Sequence, residues 1–257
     1  MNVKKIIPCA YAAALTIAMG ISGAVHAVPG LQIDAQGGEW LNNDPNGGDP
    51  QTTFCSTDVC DFYAIATPTG NLSEATILAD TFYVSIALYP RTSSTHRDLG
   101  TIEINGTTID VTGDMVYGTP PLHDDDGGAH DTGDLPTHGI FRTFYTQVAI
   151  DFVAGNTMDT YDAQTDGGNP EGSIPGTGSF YDIVTVDVSN LDSSVELHLD
   201  LYSAMLVECK NNPNCNPDDI DTDLFAPFSH DGGTSSTSSS STGGPSSTGG
   251  PSSTGGP

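Results

Sequence analysis

Apolar residues recur at every second position through much of the chain. In Val195-Glu-Leu-His-Leu-Asp-Leu201 the alternation is complete, and Leu31, Ile33 and Ala35 alternate in the same way with Gln32 and Asp34. A period of two sends successive side chains to opposite sides of an extended backbone, so the pattern predicts strands with one face in a core and the other in solvent. On this reading His198 and Asp200 lie on the solvent face with Glu196. Segments 62–66, 82–88, 102–109, 141–152 and 181–188 behave similarly. Asn105-Gly106, between Ile104 and Thr107, has the composition of a tight hairpin turn. A helix is expected only near 72–80, where Ser73 offers a cap to Glu-Ala-Thr-Ile-Leu-Ala. Seven or eight strands without long helices point to an all-β fold, an antiparallel β-sandwich for which a jelly roll is one arrangement. About 200 residues are enough for one core, so a single domain is expected over 28–231.

The two ends differ from this body. Residues 1–27 read as a secretory signal peptide: Lys4 and Lys5 come first, an apolar stretch runs from Ala10 to Val25, and Val25-His-Ala27 has the small-residue form of a cleavage site. Cleavage there would begin the mature chain at Val28, and no later apolar run is long enough for a stable membrane span. After Asp231 the composition becomes Gly, Ser, Thr and Pro alone, and Ser-Ser-Thr-Gly-Gly-Pro starts at Ser240, Ser246 and Ser252. Such a sequence cannot bury apolar surface, so 232–257 is read as a low-complexity, disordered tether whose hydroxyls are open to glycosylation. The boundary falls at Phe225-Ala-Pro-Phe-Ser-His-Asp231.

Charge narrows the partners. The formal net charge is −27, with 33 acids against six Lys and Arg, two of which lie in the leader. This rules against a simple nucleic-acid or anionic-membrane binder, which needs a basic face. Glu occurs only at 39, 74, 103, 171, 196 and 208, and all other acids are Asp. Aspartate suits turns, because its short side chain bonds nearby backbone, and it is also a hard oxygen ligand for calcium. Both readings stand: solvated turns, or Ca2+ held in acidic loops.

The densest loop is His123-Asp-Asp-Asp-Gly-Gly-Ala-His-Asp-Thr-Gly-Asp-Leu-Pro-Thr-His138. In it Asp124, Asp126, Asp131 and Asp134 suit calcium, while His123, His130 and His138 suit zinc or copper. Asp219, Asp221 and Asp223 alternate like the opening of an EF-hand, but Leu224 stands where that loop needs glycine and His230 where it needs an acid. They are therefore read as a less regular calcium site, with the Asn42, Asn43, Asp44, Asn46 and Asp49 loop as a source of further ligands. Asp162, Asp166, Asn169 and Glu171 form a weaker third set. In an exported chain the close pairs Cys55 with Cys60 and Cys209 with Cys215 predict two local disulfides. Gly-x-Ser-x-Gly, His-Glu-x-x-His and a lone reactive cysteine are all missing, so no enzyme is expected. The aromatics Trp40, Tyr63, Tyr83, Tyr89, Phe144, Tyr145, Tyr161, Tyr181 and Tyr202 could stack on sugars, although in alternating strands most such rings are core.

Taken together, Tyr63-Ala-Ile-Ala-Thr-Pro68, Phe82-Tyr-Val-Ser-Ile-Ala-Leu88, Leu135-Pro-Thr-His-Gly-Ile140, Leu197-His-Leu-Asp-Leu-Tyr202 and Phe225-Ala-Pro-Phe-Ser-His-Asp231 resemble the bacterial exported proteins called choice-of-anchor N proteins. The resemblance covers most of 28–231. It implies a surface domain joined to variable C-terminal sorting signals, often of the Pro-Glu-Pro type. This chain carries the tether that would precede such a signal, but no Pro-Glu-Pro. The expectation is a secreted or cell-surface protein with a structural or adhesive role. Its partners would be extracellular polysaccharide, surface or matrix proteins, or a second copy. A calcium-dependent carbohydrate-binding module is the alternative, and a secreted carbohydrate-active enzyme comes third.

Overall fold

The computed structural model describes residues 30–41, 52–70, 72–118, 120, 142–203, 226 and 231–237. Among these, thirteen strands form two sheets packed as a β-sandwich. The first sheet runs in the order β1 (Leu31–Ala35), β4 (Val59–Ala66), β11 (Gly178–Leu191), β6 (Gly100–Ile104), β7 (Thr107–Asp110), with β10 (Thr157–Asp159) also paired to β11. The second runs β2 (Glu39–Leu41), β3 (Thr52–Cys55), β13 (Asp231–Thr234), β12 (Glu196–Ser203), β5 (Phe82–Tyr89), β9 (Thr143–Ile150), β8 (Val116–Gly118). Every pairing is antiparallel except β3 with β13.

The alternation read from the sequence builds the core between the sheets. Ile33 on β1, Phe62 on β4 and Val184, Val186 and Val188 on β11 face Val84, Ile86 and Leu88 on β5 and Leu197, Leu199 and Leu201 on β12, all buried. Burying each such side chain is worth about 1.5–3 kcal/mol, so this layer contributes strongly to the driving force for folding. The hairpin forms where expected: β6 and β7 meet at Asn105 and Gly106, whose φ values of 50° and 76° lie in the left-handed region that Asn and Gly tolerate best. Asn105 also fixes the turn to the sheet, since its Oδ1 accepts from the Thr185 amide at 2.9 Å. The expected helix is α1 (Glu74–Ile77), capped by the Ser73 side chain, which accepts from the Thr76 amide.

The solvent-face expectation fails on β1. All five of its residues are buried, Gln32 and Asp34 completely. Their side of the first sheet is covered by segment 159–174, which contains α2 (Ala163–Asp166) and a 3-10 turn, Pro170–Ser173. Gln32 holds this cover in place by donating from Nε2 to the Tyr161 carbonyl and accepting the Ala163 amide at Oε1, each at 2.9 Å. A second, smaller apolar cluster of Tyr63, Ile65, Met158, Tyr161 and Ala163 lies beneath it. Period two identifies two faces of a strand, but it does not say that the polar one stays wet.

At the other end of the chain, β13 takes in Gly232, Gly233 and Thr234, which composition assigns to the tether, and all four of its residues are buried. It lies in the interior of the second sheet, antiparallel to β12 and parallel to β3. Cys55 and Cys60 are disulfide-bonded, S–S 2.06 Å, joining the end of β3 to the start of β4. The other expected pair, Cys209 with Cys215, lies outside the described residues. No helix among those described is long and apolar enough to cross a membrane.

Candidate functional site

The outer face of the second sheet carries an unexpected concentration of buried polar groups. On β12, Leu197, Leu199 and Leu201 turn into the core, which leaves Glu196, His198, Asp200 and Tyr202 on the opposite side. In register with these on β5 are Tyr89, Ala87, Ser85 and Tyr83. β9 then places Tyr145 beside Ala87 and Gln147 beside Ser85. On the other flank of β12, Leu199 pairs with Gly232, so Asp231 comes level with Asp200. Four strands, β5, β9, β12 and β13, thus deliver one imidazole, two carboxylates, a hydroxyl and a carboxamide to one patch.

His198 is central to it. Its Nε2 lies 3.2 Å from Asp200 Oδ2 and 3.7 Å from Asp231 Oδ2. One ligand atom from each of the three residues falls within 4.8 Å of the others. Asp231 is 1% exposed and Asp200 7%, although the alternation placed Asp200 and His198 in solvent. His198 is nearly buried as well, with 13% of its side chain accessible. Beside them the Tyr202 phenol is held protonated. Burial pushes its pKa upward, Tyr145, Tyr83 and Asp200 reinforce the shift, and a hydrogen bond with Gln147 opposes it. Such a group cannot act as an anionic ligand near neutral pH.

Chemically the patch can do two things. With His198 protonated, it is an ion-paired triad in which one cation faces two carboxylates. With His198 neutral, it is a nitrogen and two oxygens converging within ligand distance, and two carboxylates carry the charge that a divalent ion neutralises.

Of the acidic residues proposed from sequence, Asp124, Asp126, Asp131, Asp134, Asp219, Asp221 and Asp223 lie outside the described residues, as do Cys209, Cys215 and the Asn42–Asp49 loop. The third set is described, and its members serve local structure: the Asp166 carboxylate accepts from the Thr165 hydroxyl and Glu171 donates its backbone amide to Gln36. Asp162 caps α2 by accepting the Gln164 amide at 3.0 Å, and Asn169 sits at the start of the 3-10 turn. The aromatics are mostly spent on packing: Tyr63, Phe144, Tyr145, Tyr161 and Tyr202 are buried, and Trp40, Tyr83, Tyr89 and Tyr181 half-buried. Sequence reasoning missed the His198 patch as a site. The available signal was the His-x-Asp spacing, which puts both side chains on one face of a strand. No protein-family model, curated protein or solved structure matches this chain.

Proposed function

We propose that this is an exported, non-catalytic bacterial cell-surface or extracellular-matrix protein of the choice-of-anchor N kind, a disulfide-bearing β-sandwich displayed on its Ser/Thr/Gly/Pro tail. The observation that supports this reading best is the way the tail joins the body. β13 is an interior strand, hydrogen-bonded on both edges, and the tail continues directly from it. Force applied along the tail is then borne by ladders on two neighbouring strands rather than by one edge. Such an arrangement suits a domain held by its C-terminus. The leader-like segment 1–27, the acidic composition and the calcium-suited loops agree with an extracellular setting.

Fractionation of producing cells tests the reading. The full chain should be recovered with the cell surface or matrix, and a variant lacking 238–257 should be released into the medium while keeping its thermal midpoint. Recovery of the full chain in the cytosol, or identical partition of both forms, would overturn it.

A further inference from the structure

We propose that His198, Asp200 and Asp231 form a binding site for a divalent transition ion of the zinc class, with the Ser85 hydroxyl as neighbouring donor, and that the ion clamps β13 to β12. This goes beyond display at the surface and does not depend on it.

Donor geometry is the first argument. Two ligands about 2.0–2.1 Å from a tetrahedral zinc stand roughly 3.3 Å apart. The two separations from His198 Nε2, 3.2 and 3.7 Å, bracket that value. Donor type is the second. Calcium takes six to eight oxygens and has little use for imidazole, whereas one nitrogen with a few oxygens suits zinc and its first-row neighbours. The patch therefore differs in kind from the acidic loops that the sequence marks for calcium.

Ser85 is the independent observation. It lies directly across from Asp200 in the β12–β5 register, on the same face, and is fully buried. Its Oγ has no hydrogen-bond partner among the described residues. A buried hydroxyl left in that state forfeits the hydrogen bonds it would make in water, a loss removed if the hydroxyl completes the coordination of an ion or bonds a water on it.

The consequence is mechanical. Asp231 is the first residue of β13, while His198 and Asp200 belong to β12. An ion bound by all three joins the strand that leads into the tail to the middle of the sheet, at the end of β13 away from the tail. Along the rest of their pairing these strands are joined by the backbone ladder of a four-residue strand containing two glycines.

The test uses the full chain, stripped with chelator and then titrated with zinc, calcium or magnesium alone. Calorimetry on wild type should show a zinc site that is weakened more than tenfold by His198→Gln and by Asp231→Asn, and retained when His123, His130 and His138 are replaced. Zinc should also slow amide exchange at 231–234. Should the two variants fail to fold, the His198 imidazole resonances of wild type provide the reading, and they should shift with the first equivalent of zinc. Zinc binding that survives both substitutions, unshifted His198 resonances, or a response of this patch to calcium alone would overturn the proposal.

Discussion

Asp34 shows what it takes to keep a carboxyl inside the sandwich. Its oxygens accept the Gly168 amide at 2.9 and 3.1 Å, the Ala35 amide at 2.9 Å and the Tyr161 hydroxyl, which also reaches the Asp166 carbonyl. These donors favour the anion, yet desolvation outweighs them, and the pKa is pushed up from 3.8 to about 6. A folded-state pKa above the unfolded value means that the native state binds its proton more tightly. Stability from this group is therefore complete below pH 3.8 and is lost as pH rises through about 6. A shift of this size corresponds to about 3 kcal/mol. Denaturant midpoints measured from pH 4 to 7 should fall with rising pH more steeply in wild type than in Asp34→Asn. Parallel profiles would show that Asp34 binds its proton equally in the folded and unfolded states. Gly232 makes the opposite point, that a missing side chain can be what the fold requires. A Cβ there would sit 3.0 Å from both Ile33 Cγ2 and Phe62 Cε1, across the interface between the sheets. Gly232→Val should cost about 1–3 kcal/mol by overpacking, read as a lower urea midpoint at unchanged slope.

At the scale of elements, β13 decides where the domain ends. A chain stopped at residue 237 keeps the strand, and a chain stopped at 230 leaves β3 and β12 as separated open edges. The first should melt like the full chain, and the second should lose its cooperative transition or aggregate through the exposed edges. The Cys55–Cys60 bond makes a smaller contribution. For so short a loop, the chain-entropy model assigns about 2 kcal/mol, so reduction should lower the midpoint without abolishing the fold. These elements also mark how far the sequence could be read. β1, β5, β11 and β12 were legible because Val, Ile, Leu and Phe recur there at period two. The hairpin was legible from Asn105-Gly106. β13 was not, because Asp-Gly-Gly-Thr has neither apolar periodicity nor strand propensity, and its pairing with Thr52 to Cys55 spans most of the chain. The site was hidden for the same reason. His198 and Asp200 could be assigned to a common face, but nothing local to them announces that Asp231 arrives beside them, or that the face is buried.

For the whole molecule, the formal charge of −27 sets a background against which any single site must be judged. His198 pairs with Asp200 and Asp231, but six Lys and Arg cannot neutralise 33 acids, so most of the acidic surface acts through collective self-repulsion. That repulsion is long-ranged at low salt, where the screening length is about 30 Å at 0.01 M, and short-ranged at 1 M, where it is about 3 Å. Sodium chloride alone should therefore raise the thermal midpoint, by about 2–4 °C for each kcal/mol of repulsion relieved. Calcium or magnesium would produce part of the same rise simply by condensing on the acids, so a midpoint shift in low salt does not identify a site. Coordination behaves differently, because an ion held by His198, Asp200 and Asp231 is bound at contact distance in a buried patch that bulk salt screens weakly. The zinc-dependent part of the midpoint should thus persist in 0.5 M sodium chloride, where the response to magnesium has faded. It should also weaken on acidification, because protons compete with the ion for its nitrogen and oxygen donors. A zinc effect that fades with salt in step with magnesium would place the ion on the general acidic surface.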